Sequence, residues 1–339
     1  MSRGIAARKT GTLLLMLIIH SCAFAQDDHY PLRIMFYNVE NLFDILDDPV
    51  TDDEEFLPSG LRRWNYNRYN KKINSIYKVI IAAGEWEPPA VVALCEIENR
   101  GVLEDLAFGT NLSKFNYRII HEDSPDQRGI DVCLIYREEI MDVIDYQYIN
   151  PFPDSSGFRT RSILYVRMLA ADDTLHMIVN HWPSRRGGVL AAEDERIRIA
   201  ETLRSLIDSL ASSQTDPRII IMGDFNSAPD DQVMSVITEG TREKGAMINL
   251  SAMLPDNSGT YRYHGVWETI DQVLVSEALI KCSRGLYTGK GLLKIFRPDF
   301  LLKKDNQYPG LSPYSTYSGY RYQGGFSDHL PVLLDLFLR

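Results

Sequence analysis

Short apolar runs of strand length are distributed along the whole chain, and this repetition constrains the fold more than any other feature of the sequence. They cover residues 32–38, 90–96, 117–121, 130–136, 162–169, 175–181, 218–224, 269–276 and 331–337. Several are continuously apolar and rich in β-branched residues, which is typical of strands that are buried on both faces. The sequence therefore predicts a protein built around extensively buried sheets.

Helical periodicity occupies two of the intervals between these runs. The apolar positions that share a helical face are Tyr69, Ile73, Ile76, Ile80 and Ala83 in the first interval and Ile199, Leu203, Leu206 and Leu210 in the second. Strands that alternate with helices predict an α/β protein, and two face-to-face sheets with helices outside accommodate this many strands. Because we find no repeat, heptad or low-complexity linker, we expect a single domain over residues 26–339.

The first 25 residues resemble an export signal. A basic start (Arg3, Arg8 and Lys9) precedes an apolar stretch over 13–19 and a small-x-small cleavage site that ends at Ala25. The apolar stretch is too short to span a bilayer, and no later segment is long enough. The sequence predicts a cleaved, exported protein that is periplasmic or extracellular, with lipid anchoring through Cys22 as the less favoured alternative.

The chain is acidic, with a net charge of −10 that becomes −13 if the three cations of the export signal are removed. This balance argues against simple electrostatic capture of nucleic acid, although a bound divalent cation can reverse the sign locally. The remaining cysteines are Cys95, Cys133 and Cys282. An odd number, two of them inside apolar runs, predicts buried thiols and not a disulfide framework.

Two segments have the composition of long surface loops. Residues 44–63 are acidic, and residues 298–325 hold several tyrosines among Gly, Ser and Pro. Long loops in compact domains are often functional. A tyrosine-rich insertion that only packs on its own surface is an equally good interpretation of the second segment.

Polar residues directly follow the buried runs, where a ligand can reach the edge of a sheet. Glu96 follows the run 91–95, and Asp224 and Asn226 follow the run 219–222. In extended geometry Asp224 and Asn226 point the same way while Phe225 turns into the core. An acid and an amide side by side suit a phosphate-bound metal and an attacking water, whereas a solvated acid and a simple turn are the alternatives.

Basic and histidine side chains occur at two further strand ends. His181 ends the run 175–181 and is followed by Arg185 and Arg186 beside two glycines, which is a plausible phosphate-binding loop. Arg159 and Arg161 precede the run 162–169. A structural histidine and solvated basic turns are the alternatives for these residues.

An acid inside one apolar run and an Asp-His pair before another complete the polar set. Asp271 lies within the run 269–276, where a strand carboxylate needs a partner. Asp328 and His329 precede the run 331–337. A carboxylate that orients an imidazole and raises its basicity would satisfy both groups, although the spacing alone does not establish which residues pair.

Taken in order, these motifs resemble those of the endonuclease/exonuclease/phosphatase superfamily, with the deoxyribonuclease I-like fold. The matching motifs are Tyr37-Asn38-Val39, Cys95-Glu96, Asn180-His181, Gly223-Asp224-Phe225-Asn226, Ile270-Asp271-Gln272-Val273 and Ser327-Asp328-His329-Leu330-Pro331-Val332. The resemblance extends over about residues 32 to 337 and suggests an exported, bacterial-type member. It implies an α/β fold, a four-layer αββα sandwich of two mixed β-sheets flanked by helices, with its site at one end of the sheets.

The resemblance also implies a metal site. Glu96 would be the main ligand, with Asn38 and Asp328 nearby, and the ion would be Mg²⁺, with Ca²⁺ or Mn²⁺ as alternatives. Enzymes similar to exonuclease III usually have a lysine two residues after the metal glutamate, whereas this chain has Glu98. The sequence is therefore closer to the branch with two histidines, which includes deoxyribonucleases, sphingomyelinases and inositol polyphosphate 5-phosphatases.

Catalytic roles follow from the same resemblance. Asp224 and Asn226 would position the attacking water and the phosphate. Asp271 would orient His329, and His181 would be the second histidine, a proton donor or phosphate stabiliser.

The function expected from these residues is hydrolysis of a phosphodiester by in-line attack of water. An endonuclease acting on nucleic acid as a monomer is the preferred interpretation, in which the arginines hold phosphates and the tyrosines stack on bases. Cleavage of sphingomyelin, another phospholipid or an inositol phosphate is the alternative. A non-catalytic binding module is less favoured because every polar position is filled by a chemically competent residue.

Overall fold

A computed structural model describes residues 31–152, 156–184, 189–239 and 245–339, without the side chains of 189–192. The export signal predicted for residues 1–25 lies outside the described residues, and so do Arg185 and Arg186. Among the described segments, none of the helices has the length and apolar character needed to cross a membrane.

The described residues form α-helices and β-strands, which alternate in part of the chain, whereas β3 to β7 and β13 to β19 follow one another without an α-helix between them. The α-helices are α1 Tyr66–Gly84, α2 Arg100–Ala107, α3 Val189–Ser213, α4 Gln232–Thr238 and α5 Glu277–Ile280. The longer strands are β1 Leu32–Leu42, β2 Val91–Ile97, β3 Tyr117–Ile120, β4 Asp131–Arg137, β5 Asp142–Ile149, β6 Ile163–Ala170, β7 Asp173–His181, β8 Arg218–Asp224, β12 Asp271–Ser276 and β19 Val332–Leu338. The shorter strands are β9 Met247–Asn249, β10 Tyr261–Tyr263, β11 Val266–Glu268, β13 Leu286–Tyr287, β14 Leu293–Ile295, β15 Leu302–Lys304, β16 Leu311–Pro313, β17 Tyr317–Ser318 and β18 Arg321–Tyr322.

Two large mixed sheets contain most of these strands. The first has the order β13-β19-β1-β2-β4-β3 with β14 also paired to β19, and the second has the order β5-β6-β7-β8-β12-β9. Among the strands that the structure describes, only β1–β2 in the first sheet and β7–β8 in the second pair in parallel. Each parallel pair encloses a helix in the connecting chain, α1 between β1 and β2 and α3 between β7 and β8, as a parallel crossover requires.

Three apolar cores divide the protein into four layers. The central core lies between the sheets and includes Ile34 and Ala93 of the first sheet and Val166 and Ile220 of the second. The outer face of the first sheet packs against α1 and α2, and the outer face of the second packs against α3 and α4. The expected αββα sandwich is confirmed, since period-two side chains fill one core on each face of a sheet.

The strands that the sequence did not reveal are short or exposed. β5 lies at the edge of the second sheet with mostly exposed side chains, so it lacks the apolar run by which buried strands are recognised. The segment 298–325 is not one long loop, because it forms the hairpins β15–β16 and β17–β18. The three expected thiols, Cys95, Cys133 and Cys282, are free and buried.

A buried ion pair connects two central strands of the first sheet. Arg33 and Asp335 are register partners on β1 and β19, and their side chains meet through two bonds, Nε to Oδ1 at 2.7 Å and Nη2 to Oδ2 at 3.0 Å. Arg33 also donates to the carbonyl of Ala83 at the end of α1 (2.7 Å). The pair therefore connects β1, β19 and the end of α1. The Asp335 carboxylate also raises the pKa of Arg33.

We expect Arg33→Met to lower the free energy of unfolding by about 3–5 kcal/mol, because it leaves the Asp335 carboxylate buried without its cation. Denaturant unfolding followed by circular dichroism measures the change. The double variant Arg33→Met/Asp335→Leu should regain most of the lost stability. A single variant as stable as the wild type would contradict the assignment.

Candidate functional site

Strand register gathers the polar residues at one end of the two sheets. On the first sheet Asn38 pairs with Cys95, which places it beside Glu96. On the second sheet Asp224 lies between its two register partners, His181 on one side and Asp271 on the other. The parallel pairs β1–β2 and β7–β8 explain this convergence, since parallel strands end at the same edge of a sheet.

The side chain of Asn38 connects the two sheets. Its Nδ2 donates to Glu96 Oε1 at 3.3 Å and to Asp224 Oδ2 at 3.0 Å. Asn38 is 1% exposed, and its Oδ1 accepts the backbone N–H of Glu40 at 3.0 Å. One buried amide therefore fixes the separation of two carboxylates that belong to different sheets.

Two imidazoles lie on either side of the same carboxylate oxygen. The Nε2 atoms of His181 and His329 are 3.7 Å and 3.8 Å from Asp224 Oδ2. His181 Nε2 is also 4.0 Å from Glu96 Oε1. The second nitrogen of His329, Nδ1, lies 2.8 Å from Asp271 Oδ2, so the two groups expected to need a partner are partners of each other.

Phe225 and Asn226 differ in burial, although the backbone is not extended as expected, since β8 ends at Asp224 and Asn226 has a φ of 48°. Phe225 is completely buried and packs edge-on against Trp182, with ring centroids 5.0 Å apart. The backbone N–H of Asn226 donates to Asp224 Oδ1 at 3.0 Å, and its Nδ2 donates to the Trp182 carbonyl at 3.0 Å. Asn226 therefore holds the Asp224 carboxylate from one side while Asn38 holds it from the other.

The backbone at the site is strained. Glu96, Asn226, Glu40 and Asn41 have φ angles of 62°, 48°, 55° and 56°. Each non-glycine residue in this left-handed region costs on the order of 1 kcal/mol or more, and such residues persist where the surroundings determine the conformation. At Glu96 the strain is offset by two bonds to its carboxylate, from Asn38 and from the Asn41 backbone (2.8 Å).

The expected phosphate-binding arginines have different environments. Arg161 is buried, and its guanidinium donates to Asp126 Oδ2 at 2.9 Å and to the Trp182 carbonyl at 2.8 Å. Arg159 is exposed. Arg185 and Arg186 lie outside the described residues, so the structure does not place them.

Sequence reasoning missed Arg128. This exposed side chain donates to Asn41 Oδ1 at 2.6 Å, and Asn41 in turn contacts Glu96. Arg128 precedes the apolar run 130–136. That position is the same signal that singled out Arg159 and Arg161, and it could have identified this residue.

Burial and neighbouring charges shift the pKa values of the site in opposite directions. Burial would raise the pKa of Glu96, but the positive charges of Arg128 and His329 outweigh it and the pKa is lowered. Burial, reinforced by the Asp271 charge, raises the pKa of Asp224 to about 7 despite the opposing charge of His329.

The two histidines titrate differently for the same kind of reason. Burial lowers the pKa of His181 well below its ordinary value, and the charges of Arg161 and Arg128 add to the effect. Burial acts in the same direction on His329, but the Asp271 and Asp224 carboxylates overcome it and raise the pKa of His329 well above the ordinary value. Near neutral pH the site therefore holds one neutral imidazole and one imidazolium.

The donor atoms of the site fit a hard divalent cation. Carboxylate and amide oxygens are the ligands such ions prefer, and Glu96 and Asp328 both present partly exposed carboxylates. Single ligand atoms of Asp224, Asp271 and His329 lie within 4.8 Å of one another. Among the described residues, the buried Oδ1 of Asp271 has no hydrogen-bond partner. Such a concentration of buried negative charge is costly without a compensating cation.

Two stacked mixed sheets with acids, amides and two histidines at one end define a hydrolase acting on phosphate esters. The sequence matches the Endonuclease/Exonuclease/phosphatase family over residues 33–337, and the chain belongs to that family. A comparison with curated protein sequences found no match.

Solved structures share the fold at low sequence identity. D. rerio TDP2, described in complex with a single-strand DNA product, is 13% identical over 91% of this chain and 99% of its own, with a TM-score of 0.56. The human Nocturnin catalytic domain with bound sulfate is 15% identical over 91% and 95%, with a TM-score of 0.53. An endonuclease/exonuclease/phosphatase from Bacteroides vulgatus is 15% identical over 91% and 100%, with a TM-score of 0.57.

We expect Asp271→Asn to lower the pKa of His329 in the metal-free protein, because the largest interaction that favours its imidazolium is removed. NMR titration of isotope-labelled histidine measures the shift. The NMR signal of the exposed His264 provides an internal reference in the same spectra. An unchanged titration of His329 would show that Asp271 is not the group that holds its proton.

Proposed function

We propose that this protein is an exported, metal-dependent phosphodiesterase that cleaves nucleic acid. The observation that best supports this function is the placement of two imidazole nitrogens, Nε2 of His181 and Nε2 of His329, at 3.7 Å and 3.8 Å from Asp224 Oδ2. Hydrolysis of a phosphodiester requires a group that receives a proton from water and another that stabilises the negative phosphate oxygens or the leaving group.

Glu96, Asn38 and Asp328 are the residues that would hold Mg²⁺, with Ca²⁺ or Mn²⁺ as alternatives. A bound divalent cation would neutralise negative charge that develops on the phosphate. The Asn38 N–H groups already orient the carboxylates of Glu96 and Asp224.

The remaining residues position the water and transfer the proton. Asp224 is held between Asn38 and Asn226, so its carboxylate can orient the attacking water, and a pKa of about 7 allows it to accept a proton near neutral pH. His329, kept protonated by Asp271, stabilises the phosphate oxygens or donates a proton to the leaving oxygen. His181, kept neutral by burial, donates a hydrogen bond to the phosphate.

A nucleic acid substrate agrees with several features of the protein. The TDP2 relative is described with single-strand DNA product, although an identity of 13% supports the fold and not the substrate. Arg128 and Arg159 are exposed cations suited to phosphate groups. The export signal predicted from the sequence would bring the enzyme to extracellular or periplasmic nucleic acid, where it would act as a monomer of one domain.

Phospholipid, sphingomyelin or inositol phosphate remains the second candidate substrate class. The feature that favours it is the family itself, which acts on phosphate esters beyond nucleic acids. Release of phosphocholine or inorganic phosphate without cleavage of DNA or RNA would select this class.

We expect the purified protein to nick plasmid DNA with Mg²⁺ and to lose this activity in EDTA. Asp224→Ala and His329→Ala should each lower the rate by roughly 10² or more, because each removes a group that transfers a proton or stabilises charge. His264→Ala is a matched histidine substitution on an exposed segment and should retain full activity. Agarose-gel kinetics measure all four proteins.

Equal rates for His329→Ala and His264→Ala would contradict the proposed roles. Cleavage that persists in EDTA would contradict the metal dependence.

A further inference from the structure

A group of cations and tyrosine rings lies together on the surface of the first sheet's layer, and we call it the aromatic-basic surface. It consists of Arg62, Arg63, Arg68, Lys71, Tyr320, Arg321 and Tyr322. Tyr320 is 57% exposed, and Arg63, Lys71 and Arg321 are exposed as well. In a chain with a net charge of −10, such a concentration of cations is a local reversal of sign.

The hairpin β17–β18, which carries the tyrosines, is anchored to the site through Glu40. The buried Glu40 carboxylate accepts the backbone N–H groups of Thr316 at 2.6 Å and Tyr317 at 3.0 Å. The backbone N–H of Glu40 donates to Asn38 Oδ1, the amide that connects Glu96 and Asp224. Glu40 therefore links the hairpin to Asn38, because its carboxylate binds the hairpin backbone and its own N–H binds the Asn38 side chain.

A buried lysine anchors the other side of the hairpin. Lys72 is 1% exposed, and its Nζ donates to Thr316 Oγ1 and to the Phe326 carbonyl at 2.6 Å. The residue after Phe326 is Ser327, whose Oγ donates to the Asn38 carbonyl at 2.7 Å. The hairpin is therefore fixed between Asn38 and the segment that contains Asp328 and His329.

The cations are held against aromatic rings. The Arg62 guanidinium lies 5.0 Å and 5.6 Å from the ring centroids of Tyr317 and Tyr320, and that of Arg68 lies 4.4 Å from the ring of Tyr322. Arg68 donates to the backbone carbonyls of Arg62 and Arg63, so these contacts leave its positive charge uncompensated. Glu55 is the acid within this surface, since it forms an ion pair with Arg62 at 3.0 Å and accepts the Tyr320 hydroxyl at 3.4 Å.

We infer that the aromatic-basic surface binds the single-stranded segment of nucleic acid that flanks the scissile phosphate. This inference rests on the proposed function. Unpaired bases expose the faces that stack on rings such as Tyr320, whereas the bases of a duplex are already stacked on one another. The exposed cations Arg63, Lys71 and Arg321 contact the phosphates of the same segment, and the anchored hairpin holds Tyr320 and Arg321 in place before the strand arrives.

Substitution of exposed cations tests the inference without disturbing the anchored hairpin. Lys71→Gln/Arg321→Gln removes two positive charges from the aromatic-basic surface. We expect the affinity for an oligodeoxythymidine of about 15 nucleotides to fall roughly tenfold at low salt, and the slope of log K against log salt to decrease by about 1.4. Fluorescence anisotropy in EDTA measures both quantities.

Lys114→Gln/Lys290→Gln is the matched control. It removes the same charge at the opposite end of the first sheet, where Lys114 precedes β3 and Lys290 precedes β14, and it should bind like the wild type. Glu55→Gln should change affinity in the other direction and tighten binding, because it removes the acid of the surface. Hydrolysis of bis(p-nitrophenyl) phosphate should be unchanged in all variants, since this small substrate does not reach the aromatic-basic surface.

The possible outcomes separate this inference from the proposed function. Weaker binding in the Lys71/Arg321 variant but not in the control supports the inference, even if no nucleic acid is cleaved and the proposed function fails. Equal binding by both double variants overturns the inference, even if the wild type is an active nuclease. Tighter binding of a duplex than of the single strand also overturns it.

Discussion

The site depends on one buried amide that belongs to one sheet and hydrogen-bonds to the other. Asn38 holds Glu96 and Asp224 at a fixed separation, and the two histidines take their positions relative to Asp224. A hydrogen bond that joins two independent sheets needs both of them to be rigid. The central core supplies this rigidity, because it is filled from both sides by close-packed side chains of β1, β2, β7 and β8.

Burial and neighbouring charges give chemically similar groups of the site different pKa values. The carboxylates of Glu96 and Asp224 have pKa values shifted in opposite directions, because Arg128 is the largest favourable charge at the first and burial dominates at the second. The pKa values of the two imidazoles differ for a comparable reason, since of the two rings it is His329 that contacts the Asp271 carboxylate. Groups of the same chemical type in this site therefore differ in their protonation near neutral pH, because Asp224 titrates there and Glu96 does not.

The sequence was sufficient to predict the layers and the end of the sheets where the polar residues meet. Both follow from local patterns, because buried strands are continuously apolar and a polar residue at Glu96 or Asp224 marks where burial ends. The pairing of Asp271 with His329 could not be derived, since 58 residues separate them and the packing of the second sheet on the first brings them together. Arg128 precedes the apolar run 130–136, a local signal that was available but not used, and only its contact with Asn41 is non-local. The edge strand β5 was missed because its side chains are largely exposed, and the tyrosine hairpin because each of its strands is only two residues long.

The left-handed backbone at Glu96 has an evolutionary consequence. Glycine adopts this conformation without the steric cost of a Cβ atom, so a change to glycine would relieve strain at the moment it removed the carboxylate. A substitution selected only for a more stable fold at this position would therefore remove the carboxylate of Glu96 from the site. A glutamate at this position therefore keeps a carboxylate in the site at the expense of backbone stability.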